Sequence, residues 1–320
     1  MKLKGRILYD TSDRHLLRCK ITELQRIAPY METIHPIRSF LELTKPRITL
    51  LVLVVAYCGM VMAPGGSPPL ELTFFTLLAL ALASSSSSAL NNFVDRHIDV
   101  VMERTAGRSL PTGRVKPNQA LVMGIIFGAC SIVLMAWKVN LLTAGLSAFA
   151  LLFYVFIYTI WLKRHTEHCT VIGGIAGALP PVMGLTAVTG EIGLTALVMF
   201  AILFVWQPPH FWALAMIKKE EYRKAGIPML PVVKGEGSTK RQMLFYTIVL
   251  FPTALTPWFF DISGTLYLIL AILMNLIYLG WTIIYVKRPF NPDSSRKLFL
   301  FSILYIAVIF TALLLDRQIQ

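Results

Sequence analysis

The amino-acid sequence predicts an all-α polytopic membrane protein with nine transmembrane helices. Of its 320 residues, 56% are apolar and 15% are charged, and the mean hydropathy is +0.65. A soluble chain is about a quarter charged, so this composition indicates a membrane-embedded chain. The apolar residues also fall in runs of roughly twenty, which at ~1.5 Å per residue are long enough to cross ~30 Å of hydrocarbon as helices.

The spans follow the apolar runs in order along the chain. We expect them at residues 48–64, 70–93, 118–137, 139–162, 169–189, 193–217, 242–260, 264–286 and 298–315. Charged segments separate the second span from the third, the fourth from the fifth, the sixth from the seventh and the eighth from the ninth. We therefore expect a polar cytoplasmic N-terminal segment, residues 1–43, followed by one intramembrane domain, residues 44–320.

The distribution of basic residues orients these spans. Of the 30 Lys and Arg residues, 28 lie before the first span or in the four charged segments, and only Lys138 and Arg317 fall on the other side. The positive-inside rule then places the N-terminus in the cytoplasm and the C-terminus outside, in the inner cell membrane. Topology alone thus explains the net charge of +13, and anionic membrane lipid is the expected neighbour rather than nucleic acid.

Three oxygen-bearing side chains recur every four residues where the second span ends: Asn91, Asp95 and Asp99. At 3.6 residues per turn they share one helix face, and we call them the oxygen ladder. Hard oxygen ligands in this number suit Mg²⁺ that also contacts a phosphate. The alternative is a solvated helix end on which the carboxylates pair with neighbours such as Arg96. Ionisable groups that continue the face of a membrane helix usually mark a site, which favours the metal.

Cationic side chains follow the oxygen ladder in a loop that contains Gly and Pro: Arg104, Arg108 and Arg114. Guanidinium groups bind phosphate oxygens in a bidentate manner, so this loop is a candidate anion site. Further polar groups are expected at the same membrane level: Lys45, Arg47, Tyr158, Lys163 and Arg164. The alternative interpretation is that these are ordinary positive-inside anchors and snorkelling side chains.

A second polar cluster ends the sixth span, where the sequence WQPPH at 206–210 precedes the charged run KKEEYR at 218–223. The dipeptide Leu-Pro at 230–231 lies 120 positions after the one at 110–111. This spacing suggests an internal duplication, with acidic groups on opposite sides of one cavity. His210 follows two prolines inside a span, where a neutral imidazole needs a partner. It is a ligand, a catalytic base or a buried hydrogen-bonded residue.

Small residues stand out inside two of the spans. The second span contains five consecutive serines, residues 84–88, which we interpret as close helix packing. The fifth span is rich in Gly and Pro: Gly173, Gly174, Gly177, Pro180, Pro181 and Gly184. These residues would either line a slot for a flat ligand or permit a close helix crossing.

From about Leu43 to the C-terminus, the chain resembles the UbiA-type intramembrane prenyltransferases. The similarity lies in several motifs: LTKPR at 43–47, the oxygen ladder, MERT at 102–105, YTIWLKR at 158–164, IGG at 172–174, Pro180-Pro181, WQPPH at 206–210 and IPMLPVV at 227–233. The last two motifs are similar to the branch that farnesylates haem, whereas the quinone-forming branch has an Asp-rich second motif there. Departures from the family pattern are His97, Cys169 and Glu221, where an acidic residue, Asn and Asp are expected.

The resemblance implies nine helices around a central cavity open to the cytoplasmic side, with Mg²⁺ bound by the oxygen ladder. It implies a farnesyl diphosphate donor and a haem B acceptor, whose vinyl group gains the farnesyl chain and water to give haem O for respiratory oxidases. A downstream haem O-modifying enzyme is then a candidate partner. Ionisation of the allylic diphosphate needs cations and hydrogen-bond donors, and the candidates to bind the diphosphate are Lys45, Arg47, Arg104, Arg108, Tyr158, Lys163 and Arg164. Glu221 or His210 would position the water.

Two other functions are compatible with parts of the pattern. One is prenylation of an aromatic quinone precursor, and the other is transport of an anionic solute with the acidic clusters as a cation-coupling site. Transporters place their binding groups near the bilayer midplane on broken helices. The charged clusters here lie at one face of the membrane, which favours an enzyme that opens to the cytoplasm.

Overall fold

The computed structural model describes residues 36–319, and the regular secondary structure within that range is helical. The elements in chain order are α1 (Pro36–Leu43), α2 (Pro46–Val61), α3 (Leu70–Asp99), α4 (Glu103–Ala106), α5 (Pro117–Lys138), α6 (Leu141–Leu152), a π-helix (Phe153–Leu162), α7 (Lys163–His165), α8 (Cys169–Ala178), α9 (Pro180–Thr189), α10 (Leu194–Ile217), α11 (Lys219–Lys224), α12 (Leu230–Val233), α13 (Gly235–Phe259), α14 (Thr265–Lys287) and α15 (Pro292–Ile319). Most of the predicted segment 1–43 lies outside the described residues, and its last eight residues form α1.

Seven helical segments of the described chain are long and apolar enough to cross a membrane: α3, α5, Leu141–His165, Cys169–Thr189, α10, α14 and α15. The pair α1 and α2, bent by 50°, is an eighth candidate. The protein is therefore a multi-pass membrane protein. The number nine is not confirmed, because the predicted span 48–64 corresponds to α2, whose 16 residues reach only ~24 Å. The predicted span 242–260 corresponds to α13, which begins with the polar sequence GEGSTKRQ and contains two prolines. It is not among the seven segments that are long and apolar enough to cross a membrane.

The bundle has an apolar outer surface, and small polar residues lie at some of its helix contacts. Large apolar residues face outward, including Ile125, Phe156 and Leu276, which are more than half exposed. Such a surface suits contact with lipid rather than water. Between helices, small polar residues allow close approach: Ser86 Oγ on α3 donates a hydrogen bond to Gly124 O on α5 at 2.6 Å. This contact supports the interpretation of the serine run as packing.

Glycines bring α2 and α9 into backbone contact. A Cβ atom on Gly59 would collide with the Pro181 carbonyl, and one on Gly184 would collide with the Ala56 carbonyl. For Gly184 of the fifth span, this contact supports the close helix crossing rather than the slot for a flat ligand. The span itself is divided, since α8 ends at Ala178 and α9 begins at Pro180.

Candidate active site

The oxygen ladder lies on the last turns of α3, which stays helical to Asp99 instead of ending at the predicted residue 93. The extension keeps Asn91, Asp95 and Asp99 on one helix face, one turn apart. All three are buried, with relative exposures of 5%, 1% and 3%. A carboxylate this far from water needs a cationic partner or a metal, so the ladder is not a solvated helix end.

Asp95 receives its partners from the segment that follows the π-helix. Lys163 Nζ donates to Asp95 Oδ2 at 2.5 Å, and Arg164 Nη2 lies 3.8 Å from Asp95 Oδ1. Arg164 also donates to the Val94 carbonyl on α3 at 3.0 Å. The predicted cations at residues 163 and 164 are thus brought to the ladder.

Asp99 and Asn91 have partners from two other segments. Arg108, in the loop after α4, donates to Asp99 Oδ2 at 2.8 Å and to Asn92 Oδ1 at 3.3 Å. Lys45 Nζ donates to Asn91 Oδ1 at 3.2 Å from the bend between α1 and α2. Lys45 has a left-handed backbone (φ 48°), which is uncommon for a residue other than glycine and clusters at functional sites.

The ladder is therefore surrounded by more positive than negative charge. Four cationic side chains meet two carboxylates: Lys45, Arg108, Lys163 and Arg164 against Asp95 and Asp99. The four cations come from three separate segments of the chain, and together with the two buried carboxylates they form one charged cluster. Such a cluster is suited to receive an anion with several oxygens, because each added cation–anion contact offsets repulsion among the cations.

The donor set fits Mg²⁺. Within residues 36–319 no three His, Cys, Asp or Glu side chains come together as a metal site. The ladder instead offers two carboxylates and one amide oxygen, which are the hard ligands that Mg²⁺ prefers. Asp95 Oδ1 is buried and has no hydrogen-bond partner among the described residues. A buried carboxylate oxygen without a hydrogen bond is costly, so it is available for a cation.

Three other predicted residues do not contact the oxygen ladder. Arg47 and the Arg104 side chain are exposed, and neither forms an ion pair with another described residue. Tyr158 is half-buried on the π-helix, where its ring stacks on Tyr154 at 5.3 Å between centroids and packs beside Gly173. Arg114, also in the predicted anion loop, pairs with Glu42 of α1 at 3.0 Å.

Glu221 connects the second polar cluster to the loop after the ladder. Its carboxylate accepts hydrogen bonds from Lys218 Nζ at 2.7 Å and from the Arg104 backbone N–H at 3.4 Å. Partial burial raises the pKa of Glu221, but the bonds from Lys218 and Arg104 outweigh it and hold the pKa below its ordinary value. Nearby, Tyr222 packs in one apolar cluster with Met102. The two predicted clusters therefore lie side by side.

His210 lies elsewhere in the bundle. Its Nδ1 is 2.6 Å from Ser302 Oγ on α15, and its ring is stacked between Trp206 and Phe299 at centroid distances of 4.4 and 4.6 Å. The side chain is buried. These contacts are those of a buried, hydrogen-bonded residue, and none of them is to the oxygen ladder.

Two residues at the ladder were not anticipated. Thr159 Oγ1 lies 3.3 Å from Asn91 Nδ2, and Asn92 joins Arg108 to the Leu43 carbonyl. Asn92 directly follows the ladder residue Asn91, so its participation could have been predicted from the sequence. The hydrophobic pattern gives no signal for Thr159, because apolar residues lie on all faces of the fourth span. A sequence of this kind does not indicate where a π-helix will form.

Comparison with known proteins gives a consistent assignment. A family model described as the UbiA prenyltransferase family matches residues 52–306. The protoheme IX farnesyltransferase of Symbiobacterium thermophilum is 46% identical over 281 residues, which cover 88% of this chain and 94% of the relative. That of Acidiphilium cryptum is 44% identical over 289 residues, which cover 88% and 91%.

Solved structures share the fold at low sequence identity. A structure of digeranylgeranylglyceryl phosphate synthase has a TM-score of 0.76 at 17% identity and covers 90% of this chain and 100% of that one. A UbiA homologue from Archaeoglobus fulgidus, bound to DMAPP and Mg²⁺, has a TM-score of 0.62 at 19% identity and covers 86% and 99%. At these identities the similarity establishes the arrangement of helices alone.

Proposed function

The chain belongs to the UbiA prenyltransferase family, and on that premise we propose that it transfers a farnesyl group from farnesyl diphosphate to a vinyl group of haem B. The relatives that share 44–46% of its residues over 88% of the chain are protoheme IX farnesyltransferases. One observation carries the assignment in the structure: a buried pair of carboxylates and an amide are surrounded by four cations. An allylic diphosphate needs this combination of charges to ionise.

Mg²⁺ is the proposed cofactor, held by the Asn91 amide oxygen and the carboxylates of Asp95 and Asp99. Asp95 Oδ1, which accepts no hydrogen bond from the described residues, supports this ligand set, and so does the Archaeoglobus homologue that is bound to DMAPP and Mg²⁺. When bound, the metal supplies neutralising charge for the pyrophosphate that leaves. The remaining chemistry falls to side chains of the chain itself.

The ladder cations are proposed to bind the diphosphate. Lys163 and Arg108 neutralise the two carboxylates in the structure, and both would turn to phosphate oxygens once the carboxylates hold a metal. Lys45 and Arg164 are close enough to join them. We also assign diphosphate contacts to Arg47, Arg104 and Tyr158, whose support is their location at the same end of the helices.

Carbon–carbon bond formation requires a site that excludes water until the bond has formed. The allylic carbocation is attacked by the electron-rich vinyl carbon of haem B, the new cation takes up one water, and that water loses a proton. Apolar helix walls would shield the first cation. Glu221 and His210 are the two candidates to position the water. The support for Glu221 is its hydrogen bond from the Arg104 backbone, which follows the oxygen ladder in the chain. The support for His210 is its buried position between two aromatic rings.

We propose that residues 44–320 form one domain of nine spans, counting α2 and α13, around a cavity that opens to the cytoplasm. In the inner cell membrane the N-terminus would be cytoplasmic and the C-terminus outside, as the 28 basic residues on one side indicate. Haem O leaves such a protein within the lipid phase, because it is larger and more apolar than haem B. Membrane lipid and the next haem-modifying enzyme are therefore the expected partners.

The direct test is incubation of the purified protein with haem B, farnesyl diphosphate and Mg²⁺, followed by mass spectrometry. We expect a haem that has gained one farnesyl group and one water, and no product when Mg²⁺ is chelated. A parallel reaction offers an aromatic quinone precursor as acceptor. Prenylation of that acceptor with unchanged haem would contradict the proposal.

A further inference from the structure

The π-helix brings one hydroxyl group to the oxygen ladder. Thr159 is fully buried, and its Oγ1 lies 2.8 Å from the Tyr154 carbonyl and 3.3 Å from Asn91 Nδ2. Tyr154 is five residues earlier in the chain. In an ordinary α-helix a threonine hydroxyl bonds back three or four residues, so the contact with residue 154 depends on the wider turn of the π-helix.

Hydrogen-bond chemistry fixes the direction of every bond in this chain of contacts. The Tyr154 carbonyl can only accept, so the Thr159 hydroxyl gives its single hydrogen to it. The Thr159 oxygen must then accept from Asn91, which places the Asn91 NH₂ group on the side of Thr159. The Asp95 carboxylate also only accepts, and Asn91 Nδ2 donates to it at 2.9 Å.

The Asn91 oxygen is left facing the opposite side, toward Lys45. Lys45 Nζ is a pure donor and lies 3.2 Å from Asn91 Oδ1. An asparagine amide turned by half a rotation has almost the same shape and presents NH₂ where its oxygen was. Turned in that way, Asn91 would be unable to bind a metal ion, because an amide NH₂ group has no free electron pair to donate.

We propose that Thr159 is a positioning residue that holds the Asn91 amide with its oxygen toward Mg²⁺ and the diphosphate. This role rests on the proposed function of the ladder and adds a residue that acts through Asn91. Residues that orient metal ligands in this way commonly contribute a factor of about 10–100 to metal affinity. The π-helix supports this role, because its wider turn aligns the Thr159 hydroxyl with the Tyr154 carbonyl.

The test compares Thr159→Val with Thr159→Ser. Valine has the shape of threonine without the hydroxyl, and serine keeps the hydroxyl. The measurement is the Mg²⁺ concentration needed for half-maximal binding of farnesyl thiodiphosphate, a donor analogue that resists ionisation, by calorimetry of the detergent-solubilised protein. We expect Thr159→Val to raise that concentration about 10-fold or more and Thr159→Ser to change it less than about threefold.

A matched control removes a buried hydroxyl that has no contact with the ladder. Thr282 on α14 is fully buried, and its only hydrogen-bond partner among the described residues is the Tyr278 carbonyl of its own helix. Thr282→Val should leave the Mg²⁺ dependence unchanged. If Thr159→Val does not fold, Thr159→Ala replaces it, because alanine also lacks the hydroxyl and needs less space.

Coupling to Asn91 separates positioning from general stability. In an Asn91→Ala background, Thr159→Val should add less than about twofold, because the amide on which Thr159 acts is gone. An undiminished further loss would overturn the positioning role. If the wild-type protein binds the analogue only with Mg²⁺ and Thr159→Val needs the same Mg²⁺ concentration, the positioning role is overturned while the proposed function stands. If the wild-type protein binds the analogue equally well with and without Mg²⁺, both the positioning role and the proposed function are overturned.

Discussion

Side chains at the oxygen ladder have two tasks. Lys163 and Arg108 neutralise buried carboxylates, which would otherwise be costly in a region without water. Because Lys163 lies on α7 and Arg108 in the loop after α4, the same ion pairs connect both segments to α3. The carboxylates then have cationic partners in the absence of a ligand, and these partners are the residues proposed to bind the diphosphate.

Replacing one ladder carboxylate tests the metal assignment. Asp95→Asn or Asp99→Asn should lower turnover by more than about 100-fold, since residues that merely support metal ligands already contribute 10–100-fold. Turnover is measured with haem B, farnesyl diphosphate and Mg²⁺, and thermal unfolding checks that the variants are folded. Full activity in both variants would refute the ladder as the metal site.

Asp316 offers a matched control for this experiment. It is a buried carboxylate that accepts backbone N–H groups of Gly264 and Tyr267 at the start of α14, far along the chain from the ladder. Asp316→Asn should lower the unfolding temperature, because a carboxylate at a helix N-terminus is stabilising. Turnover per folded molecule should be retained.

His210 separates acceptor chemistry from donor binding. His210→Ala should slow single-turnover transfer to haem B by about 10²-fold, the scale expected of a general acid or base. Affinity for farnesyl thiodiphosphate with Mg²⁺ should stay within about threefold, because none of the His210 contacts reaches the ladder. Phe299→Leu loosens the same stack and keeps the imidazole, so it controls for the cavity. Weakened donor binding with unchanged transfer would contradict the division of roles.

At the scale of elements, two irregularities in the helices bring residues to the candidate site. The π-helix sets the angle at which Thr159 meets α3, and the bend between α1 and α2 presents Lys45. The break between α8 and α9 serves packing instead. There, Gly59 and Gly184 remove the Cβ atoms that would keep α2 and α9 apart.

Alanine at either of these glycines tests the crossing. Gly59→Ala and Gly184→Ala should each destabilise the protein by about 1–3 kcal/mol, because the added methyl group meets a backbone carbonyl that cannot move aside. Gly145→Ala on α6 is the control, since a Cβ there meets nothing within 4 Å and alanine favours a helix. Thermal unfolding in one detergent measures all three. Equal unfolding temperatures would contradict the close crossing.

At the scale of the whole molecule, the basic loops converge on one end of the bundle. Lys234 after α12 pairs with Glu167 before α8 at 3.5 Å, and Lys240 on α13 donates to the Arg288 carbonyl after α14 at 2.7 Å. Alternation of the nine predicted spans placed these segments on the same side, and the count of basic residues identified that side as cytoplasmic. Their contacts support the alternation of the spans on which the topology depends.

Cysteine labelling tests which end faces the cytoplasm. In a variant without the native cysteines, Gly107→Cys and Glu220→Cys should react with an impermeant maleimide only from the cytoplasmic side, and Glu191→Cys only from outside. All three positions are exposed, so access depends on the membrane alone. Labelling of Glu191→Cys from the cytoplasm would reverse the proposed orientation.

Much of the candidate site was predictable because its signals are local. The four-residue spacing of Asn91, Asp95 and Asp99 needs only a helix to place them on one face, and the structure confirms that helix. Seven residues were predicted to bind the diphosphate, and four of them, Lys45, Arg108, Lys163 and Arg164, contact the ladder. Sequence could not choose among them, because charge alone does not say where a loop folds.

By itself, the sequence determined the class of fold, the clustering of basic residues and the oxygen ladder, because apolar length and helical period are properties of consecutive residues. Tertiary structure alone decided that Lys45 meets Asn91 across 46 positions and that His210 meets Ser302 across 92. It also decided that a π-helix presents Thr159. These outcomes depend on how helices pack against one another, and packing is a balance among distant residues that no local pattern records.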